Sequence, residues 1–335
     1  MTEMGKTIND QQINDLTEQN NFSEAAKNLL ERQKKTWQIL KSGYNSLNSI
    51  KTKRINFDGF SFVVQFNPSR YISSSAKVDD KSINDRNCFL CLENRPKEQE
   101  GIMLNDYILL GNPFPIFPEH FTIANKKHKA QRIQNNFEDL LFFSKLLSKF
   151  YTVFYNGPQC GASAPDHLHF QAGSKNMMPL DNEYDKIINK YGEILSDRND
   201  CKIFGIDDGL RKIISIEGRE EKRLLNVFNS FYKEYSSHSD LDEPMMNILC
   251  LYQKGKGWRV VIMLRAKHRP KEFYKEGSEK LIFSPAACDY GGLCIIPLEK
   301  DFNRFDKDLL NNIFNETSIV DLDFQLLKEK LKSLK

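Results

Sequence analysis

The segment Asn156-Gly157-Pro158-Gln159-Cys160-Gly161-Ala162-Ser163-Ala164-Pro165-Asp166 runs into His167-Leu168-His169-Phe170-Gln171, and this join restricts the chain more than any other stretch. The last five residues alternate polar and apolar, the period of a strand with one buried face. His167, His169 and Gln171 then point one way, and Leu168, Phe170 and Ala172 the other. Residues two apart on one strand face lie roughly 6.5–7 Å from each other. That separation suits two histidines with different tasks, one fixed on a metal and the next free as a nucleophile. The loop before them is rich in Gly, Ala and Ser, so its backbone N–H groups can reach an anion without side chains in the way. Paired histidines on a half-buried strand also occur as plain surface polar residues. The surrounding sequence decides between the two readings.

Two further stretches bear on it: Asn112-Pro113-Phe114-Pro115-Ile116-Phe117-Pro118-Glu119-His120-Phe121-Thr122-Ile123-Ala124-Asn125-Lys126-Lys127-His128, and Arg86-Asn87-Cys88-Phe89-Leu90-Cys91-Leu92-Glu93-Asn94. With the histidine strand, they make the chain resemble the histidine-triad superfamily, in the branch with His-x-His-x-Gln in place of a third histidine. That branch contains galactose-1-phosphate uridylyltransferase, diadenosine tetraphosphate phosphorylase and GDP-hexose phosphorylase. The Asn-Pro stretch is similar to the superfamily's upstream hairpin, and Cys88-x-x-Cys91 to the zinc half-site of the uridylyltransferases. Order and spacing agree from Cys88 to Gln171. Ser284-Pro285-Ala286-Ala287, Gly291-Gly292 and the run from Pro297 to Phe302 are more loosely similar to GDP-hexose phosphorylases. The first fifty or so residues match nothing useful.

The resemblance implies an α+β fold of histidine-triad-like antiparallel sheets with packed helices, in two pseudo-repeated lobes like those of the uridylyltransferases. At 335 residues the chain can bury a substantial core, and two lobes suit that length. The expected division is an N-terminal helical extension over 1–55, a catalytic lobe with the zinc site over 56–200, and a degenerate second lobe over 201–335. No second His-x-His-x-Gln occurs, so one catalytic centre per chain is expected.

Formal net charge is only +3, which supplies no broad field for a polyanion and argues against a general nucleic-acid binder. No apolar run approaches the ~20 residues that span a bilayer, so no membrane partner is expected. The polar opening Met1-Thr2-Glu3-Met4-Gly5-Lys6 does not read as a signal peptide. Seven scattered cysteines suit a reducing compartment better than a disulfide framework, so the cytoplasm is the expected location. A homodimer is one assembly this reading admits.

Apolar spacing predicts a helix over 23–47, a strand over 60–66 and a loop from Ser73 to Asn87 that delivers Cys88. Strands are expected at Tyr107 to Leu110, Phe121 to Ala124 and Tyr151 to Tyr155, with a helix over 130–149. After a polar stretch over 174–200 come a helix through Leu224 to Tyr235 and strands at Asn247 to Tyr252 and Trp258 to Leu264. Lys254-Gly255-Lys256-Gly257 reads as the hairpin turn between those two strands. Further strands at Leu281 to Phe283 and Leu293 to Pro297, and a closing helix over 305–317, complete the expected chain.

Cys88 and Cys91 can bind one ion from a tight turn, although two nearby cysteines are often incidental. The resemblance selects His128 and His167 as the other ligands of a structural zinc, with His120 as runner-up for the third position. Asp166 is a candidate to support His167 from outside the ion's own ligands.

The resemblance also makes His169 the nucleophile of a nucleotidyl-histidine intermediate, with Ser163 and Gln171 on the phosphate and Asn156 close by. Imidazole suits that task because it is neutral near pH 7, and its second nitrogen must donate a hydrogen bond, here to a carbonyl of the 160–165 loop. The N–H groups of Gly161, Ala162 and Ser163 are the oriented donors. One residue more separates Ser163 from His167 than in uridylyltransferases. Arg265, Lys267, His268 and Arg269 form a basic cluster, of which Arg265 and Lys267 are candidate phosphate ligands; a solvated hairpin exit is the plain alternative.

Transfer of a nucleoside monophosphate from a nucleotide sugar or dinucleoside polyphosphate, to phosphate or a sugar phosphate, is the expected activity. A hydrolase of the same substrates and a non-catalytic nucleotide-binding protein are the alternatives.

Overall fold

The computed structural model describes residues 7–8, 21–75, 78–198, 200–237 and 239–333, so part of the expected N-terminal extension lies outside the described residues. Its strands are β1 (Thr7–Ile8), β2 (Lys51–Asn56), β3 (Ser61–Phe66), β4 (Gly101–Leu104), β5 (Tyr107–Gly111), β6 (His120–Asn125), β7 (Tyr151–Asn156), β8 (His169–Ser174), β9 (Gly192–Arg198), β10 (Cys201–Asp207), β11 (Lys212–Gly218), β12 (Met246–Gln253), β13 (Gly257–Leu264) and β14 (Leu293–Ile296). Eleven of them form one sheet in the order β1-β4-β5-β6-β8-β7-β12-β13-β11-β10-β9, antiparallel except where β1 joins β4. The other three form a small sheet, β14-β3-β2.

The order β4-β5-β6-β8-β7 recurs reversed across the large sheet as β12-β13-β11-β10-β9. In both sets a helix follows the third strand: Phe137–Leu146 after β6 and Glu221–Ser236 after β11. The two fives meet where β7 and β12 pair antiparallel, with Asn156 opposite Asn247 and Phe154 opposite Leu249. They differ in the connection from fourth to fifth strand. Residues 157–168 join β7 to β8, whereas Lys254-Gly255-Lys256 turn β12 straight into β13, as the glycine spacing predicts. Two strands have no room between them for an anion loop in the second half.

The sheet has two differently covered faces. Leu168, Phe170 and Ala172 belong to a buried cluster with Val153, Ile248 and Val260, under the helices Phe137–Leu146 and Glu221–Ser236. Phe137 and Phe228 stack across those helices with ring centroids 3.8 Å apart. Burying a phenylalanine such as Phe170 stabilises the fold by about 1.5–3 kcal/mol, so this apolar set fixes which way β8 faces. Phe154, Leu249 and Met263 point to the other face, into a cluster with Phe62, Tyr290 and Leu293 of the small-sheet layer. His169 and Gln171 share that second face, where the layers part to form a cleft.

Several sequence expectations shift. The 23–47 helix is two helices, Asn21–Thr36 and Gln38–Ser46, because Trp37 is extended at φ −124° and ψ 105°. The break lets the second helix close on the Asn-Pro connection, where a Cβ on Gly43 would sit 2.0 Å from the Pro113 carbonyl oxygen. The loop from Ser73 to Asn87 holds the short helices Tyr71–Ser74 and Asp80–Asn84, and the expected helix over 130–149 spans Phe137–Leu146. The polar stretch 174–200 contains the helix Pro179–Tyr191 and β9, whose polar faces hid their periods. Leu281 to Phe283 is buried but not a strand, and a last helix, Asp321–Lys332, follows the one at Lys307–Thr317. Among the described residues no helix is long and apolar enough to cross a membrane.

Candidate active site and metal cluster

A cleft of about 530 Å³ opens between the second sheet face and the small-sheet layer. His169, Gln171, Asn156, Gly161, Ala162 and Ser163 all line it. The glycine loop and the first residue of β8 therefore meet as the sequence suggests. β8 begins at His169, however, and His167 sits in the bend before it. That bend turns the two histidines to different neighbours.

His169 is 3% exposed. Its Nδ1 lies 2.8 Å from the His167 carbonyl oxygen, which can only accept, so Nδ1 carries the proton and Nε2 keeps a lone pair. The acceptor is thus His167 rather than the expected carbonyl of the 160–165 loop, because the bend folds residue 167 back over its neighbour. Gln131 fixes the histidine's backbone from both sides: its Oε1 accepts the His169 N–H at 2.8 Å, and its Nε2 donates to the His169 carbonyl at 3.0 Å. Burial holds the imidazole well below its usual value, at about 4. It is neutral across the physiological range.

Gln171 is oriented by His120. The Ile116 N–H donates to His120 Nδ1 at 3.2 Å, so Nε2 carries the proton and donates to Gln171 Oε1 at 2.9 Å. The Gln171 NH₂ group is then the end left for a ligand. Burial, with the nearby Arg70 charge adding to it, pushes the His120 imidazole down to about 3, so this tautomer does not titrate near neutrality. His120 thus sits on Gln171 and not in the metal cluster.

Gly161 is left-handed at φ 92°, and a Cβ there would lie 2.6 Å from the Ala286 side chain. Only glycine fits that turn without strain. The N–H groups of Gly161, Ala162 and Ser163 donate to no protein acceptor among the described residues. Asn156 Oδ1 accepts from Asn247 Nδ2 at 2.9 Å and from the Ala287 N–H at 2.8 Å, which leaves the Asn156 NH₂ group for the cleft.

The guanidinium groups at the cleft come from Arg70, Arg86 and Arg269. Arg70 donates to the Phe114 carbonyl at 2.7 Å, yet its Nε is buried without a protein partner, as is Nη1 of Arg86. The buried Asp289 also lines the cleft, and its oxygens accept the N–H groups of Ala286 and Ile295 at 2.8 and 2.9 Å. Burial raises that carboxyl to about 7. The cleft therefore offers donors and positive charge where an anionic chain would lie.

Arg265 and Lys267 do not line this cleft. Arg265 turns inward where β13 ends, 4.4 Å from the Tyr290 ring centroid, and donates to Asn247 Oδ1 and to the carbonyls of Pro285, Thr317, Lys267 and His268. Lys267 is exposed and pairs with Glu316 at 2.9 Å. Arg269 and His268, the other members of the basic cluster, do reach the cleft. Strand period alone could not reveal which side of a chain exit turns inward. Arg70, Gln131 and Asn247 carry no motif, because each reaches the site from a loop or across the seam, and Arg86 stands in the cysteine stretch with no role assigned to it there.

Cys88, Cys91, His128 and His167 form a second cluster, each offering one ligand atom, all within 4.8 Å of one another. The cysteines share a tight turn, closed by the Cys91 N–H on the Cys88 carbonyl at 3.2 Å. Cys88 Sγ lies 3.3 Å from His167 Nδ1, and Cys91 Sγ lies 3.2 Å from His128 Nδ1 and 3.5 Å from His167 Nδ1. A tetrahedral ion about 2.3 Å from sulfur and about 2.0–2.1 Å from nitrogen needs sulfur–nitrogen edges of about 3.5 Å. The residues fit, and the cluster could hold a metal ion. His167 Nε2 donates to the Asn125 carbonyl at 2.7 Å, which leaves Nδ1 as the ligand atom. Asp166 Oδ2 lies 3.7 Å from His128 Nε2, and its Oδ1 accepts from Arg86 Nη2 at 2.6 Å.

Residues 29–174 match the model of a family described as a domain of unknown function, DUF4922. Among solved structures the chain resembles the crystal structure of yeast Ap4A phosphorylase Apa2, with a TM-score of 0.53 and 18% identity over 84% of this chain and 94% of that one. A DUF4931 family protein from Bacillus cereus is 16% identical with a TM-score of 0.38, covering 50% of this chain and 86% of that one. No curated protein matches in sequence. The expected α+β fold of antiparallel sheets with packed helices is the fold observed, and it is shared with that phosphorylase structure.

Proposed function

We propose that this chain is a nucleotidyltransferase of the phosphorylase type, moving a nucleoside monophosphate through His169. The substrate is a dinucleoside polyphosphate or a nucleoside-diphosphate sugar, and the acceptor is phosphate or a sugar phosphate. The observation that carries the reading is the His169 tautomer: Nδ1–H is tied to the His167 carbonyl while Nε2 keeps its lone pair beside a cleft of N–H donors. In the first displacement Nε2 attacks the α-phosphorus, a P–N bond forms, and the P–O bond to the leaving phosphate breaks. The resulting imidazolium is stabilised by the same 2.8 Å hydrogen bond. In the second displacement an acceptor oxygen attacks phosphorus, the P–N bond breaks and His169 returns to its neutral form. Charge on the non-bridging oxygens is met by the loop N–H groups, Ser163, Asn156 and the Gln171 amide.

The resemblance to a phosphorylase in fold favours the dinucleoside polyphosphate, and three guanidiniums at the cleft suit a chain of several phosphates. Two thiolates and two imidazoles in tetrahedral reach favour zinc as the ion, with a structural role because no coordination position is left open. All seven cysteines are free, which supports a reducing compartment such as the cytoplasm. The same reading divides the chain into an N-terminal extension, a catalytic half and a supporting half, with the border drawn at Gly192 rather than after residue 200, because β9 begins the second set of five strands there.

Intact mass after incubation with a panel of dinucleoside polyphosphates and nucleotide sugars tests the proposal. A gain equal to one nucleoside monophosphate, discharged by phosphate or a sugar phosphate, is the expected result. Discharge by water alone would make the protein a hydrolase, and no gain with any substrate would overturn the covalent route.

A further inference from the structure

We propose that Asn247, at the start of β12, is a positioning residue that sets the polarity of the anion site from across the seam. The inference rests on the function proposed above and concerns how the donors of that site come to face the cleft. Asn247 is fully buried and does not line the cleft itself. Its amide is completely determined. Oδ1 accepts from Arg265 Nη1 at 2.6 Å, so the NH₂ group must face the other way, where it donates to Asn156 Oδ1 at 2.9 Å and to the Cys160 carbonyl at 2.7 Å.

Each of those two bonds orients a donor. With Oδ1 held by Asn247 and by the Ala287 N–H, Asn156 has only its NH₂ group to present to a ligand. Reversed, the same amide would present an oxygen and repel phosphate. The bond to Cys160 works through peptide geometry. C=O and N–H of one trans peptide unit point in opposite directions, and no peptide bond among the described residues is cis. Drawing the Cys160 carbonyl toward Asn247 therefore turns the Gly161 N–H away from it, toward the cleft that Gly161 lines.

Arg265 is the fixed point of this chain of bonds. A guanidinium has no acceptor atom, so it can only donate, and its donors are taken by the Pro285, Thr317, Lys267 and His268 carbonyls besides Asn247. Polarity passes from Arg265 to Asn247, and from Asn247 to Asn156 and Gly161. The second half of the chain thus decides that the first half shows nitrogen rather than oxygen to its ligand.

Asn247→Asp separates this role from simple packing. The carboxylate has the same shape and gains an ion pair with Arg265, but it cannot donate to Asn156 or Cys160. In a His169→Ala background, where no transfer follows binding, inorganic tripolyphosphate is titrated by calorimetry against the parent and against the Asn247→Asp variant. Affinity is expected to fall at least tenfold, with melting temperature and metal content held. Equal affinity, or a loss of melting temperature with affinity kept, overturns the inference alone. A parent that does not bind tripolyphosphate overturns the proposed polyphosphate site and this inference with it. Should Asn247→Asp fail to fold, Asn156→Asp in the same background decides. It keeps the oxygen bonded to Asn247 and Ala287 and replaces the cleft-facing nitrogen by oxygen, so affinity must again fall at least tenfold. Unchanged affinity overturns the inference.

Discussion

The Nδ1–H of His169 bonds the carbonyl oxygen of His167 at 2.8 Å, while the His167 side chain turns its own Nδ1 to the sulfurs of Cys88 and Cys91 at 3.3 and 3.5 Å. One residue thus belongs to the metal cluster by its side chain and to the cleft by its backbone. The placement of the His169 imidazole depends on where the cluster holds residue 167.

Replacing His169 by alanine should abolish nucleotidyl capture, read as the absence of a mass gain. His169→Gly leaves space for free imidazole, and added imidazole should restore turnover in part. Ordinary turnover by His169→Ala would remove the covalent route.

The pH profile follows from burial. Nε2 must be unprotonated to attack, and burial holds the His169 imidazole down at about 4. The rate of capture under subsaturating substrate should stay level from neutrality through the usual histidine range and fall only as pH drops toward about 4. An acid limb near 6.5 would show that the free protein does not hold His169 in this dry setting.

The cluster of Cys88, Cys91, His128 and His167 should carry close to one zinc per chain, read by elemental analysis of protein prepared without chelators. Cys88→Ser and Cys91→Ser should lose metal and melting temperature together, because metal binding contributes folding free energy. His120→Leu should keep the metal. Zinc lost in His120→Leu but retained in His128→Ala would exchange the two histidines.

His120→Leu should still reduce capture, by about ten- to a hundredfold, because nothing then holds the oxygen of Gln171 away from the phosphate. It also leaves the buried Ile116 N–H without its acceptor, a loss of about 1–3 kcal/mol in unfolding free energy. Denaturant unfolding and single-turnover capture measure the two effects separately. Full capture in a folded variant would show that Gln171 orients itself.

The histidine strand, the glycine loop and the cysteine turn were legible because each packs several constrained residues into a short stretch of sequence. Even there the bend at His167 was not, since alternation through Leu168 and Phe170 continues across it without a break in pattern. His128, selected ahead of His120 as the third ligand, is the one in the cluster; the place of His120 beside the glutamine is not legible, since only the pairing of β6 with β8, with Thr122 opposite Gln171 and His120 opposite Gly173, sets it there. Arg265 reads in sequence as a candidate phosphate ligand because its cluster is basic, and nothing there reveals its inward turn onto Tyr290 and Asn247. The helix Pro179–Tyr191 and β9 are hidden by polar faces, and β10 and β11 by the short connections that run them together. Contacts that cross the seam, such as Asn247 on Asn156, leave no trace in either local pattern.

The tight turn Lys254-Gly255-Lys256, standing where the first half has its glycine loop, has a consequence for heredity as well as for chemistry. In a pair of identical subunits related by a two-fold axis, every substitution arises twice, once on each side of the axis. A change that suits a reactive residue then has to be tolerated by its mirror image. Covalent linkage of the halves lifts that condition: β12 and β13 can be joined by a tight turn while β7 and β8 keep the longer connection 157–168. What results is a lopsided vessel, with the glycine loop and His169 on one wall and no counterpart of that loop on the other. Such a vessel can tell apart the two ends of a molecule that is not itself symmetric.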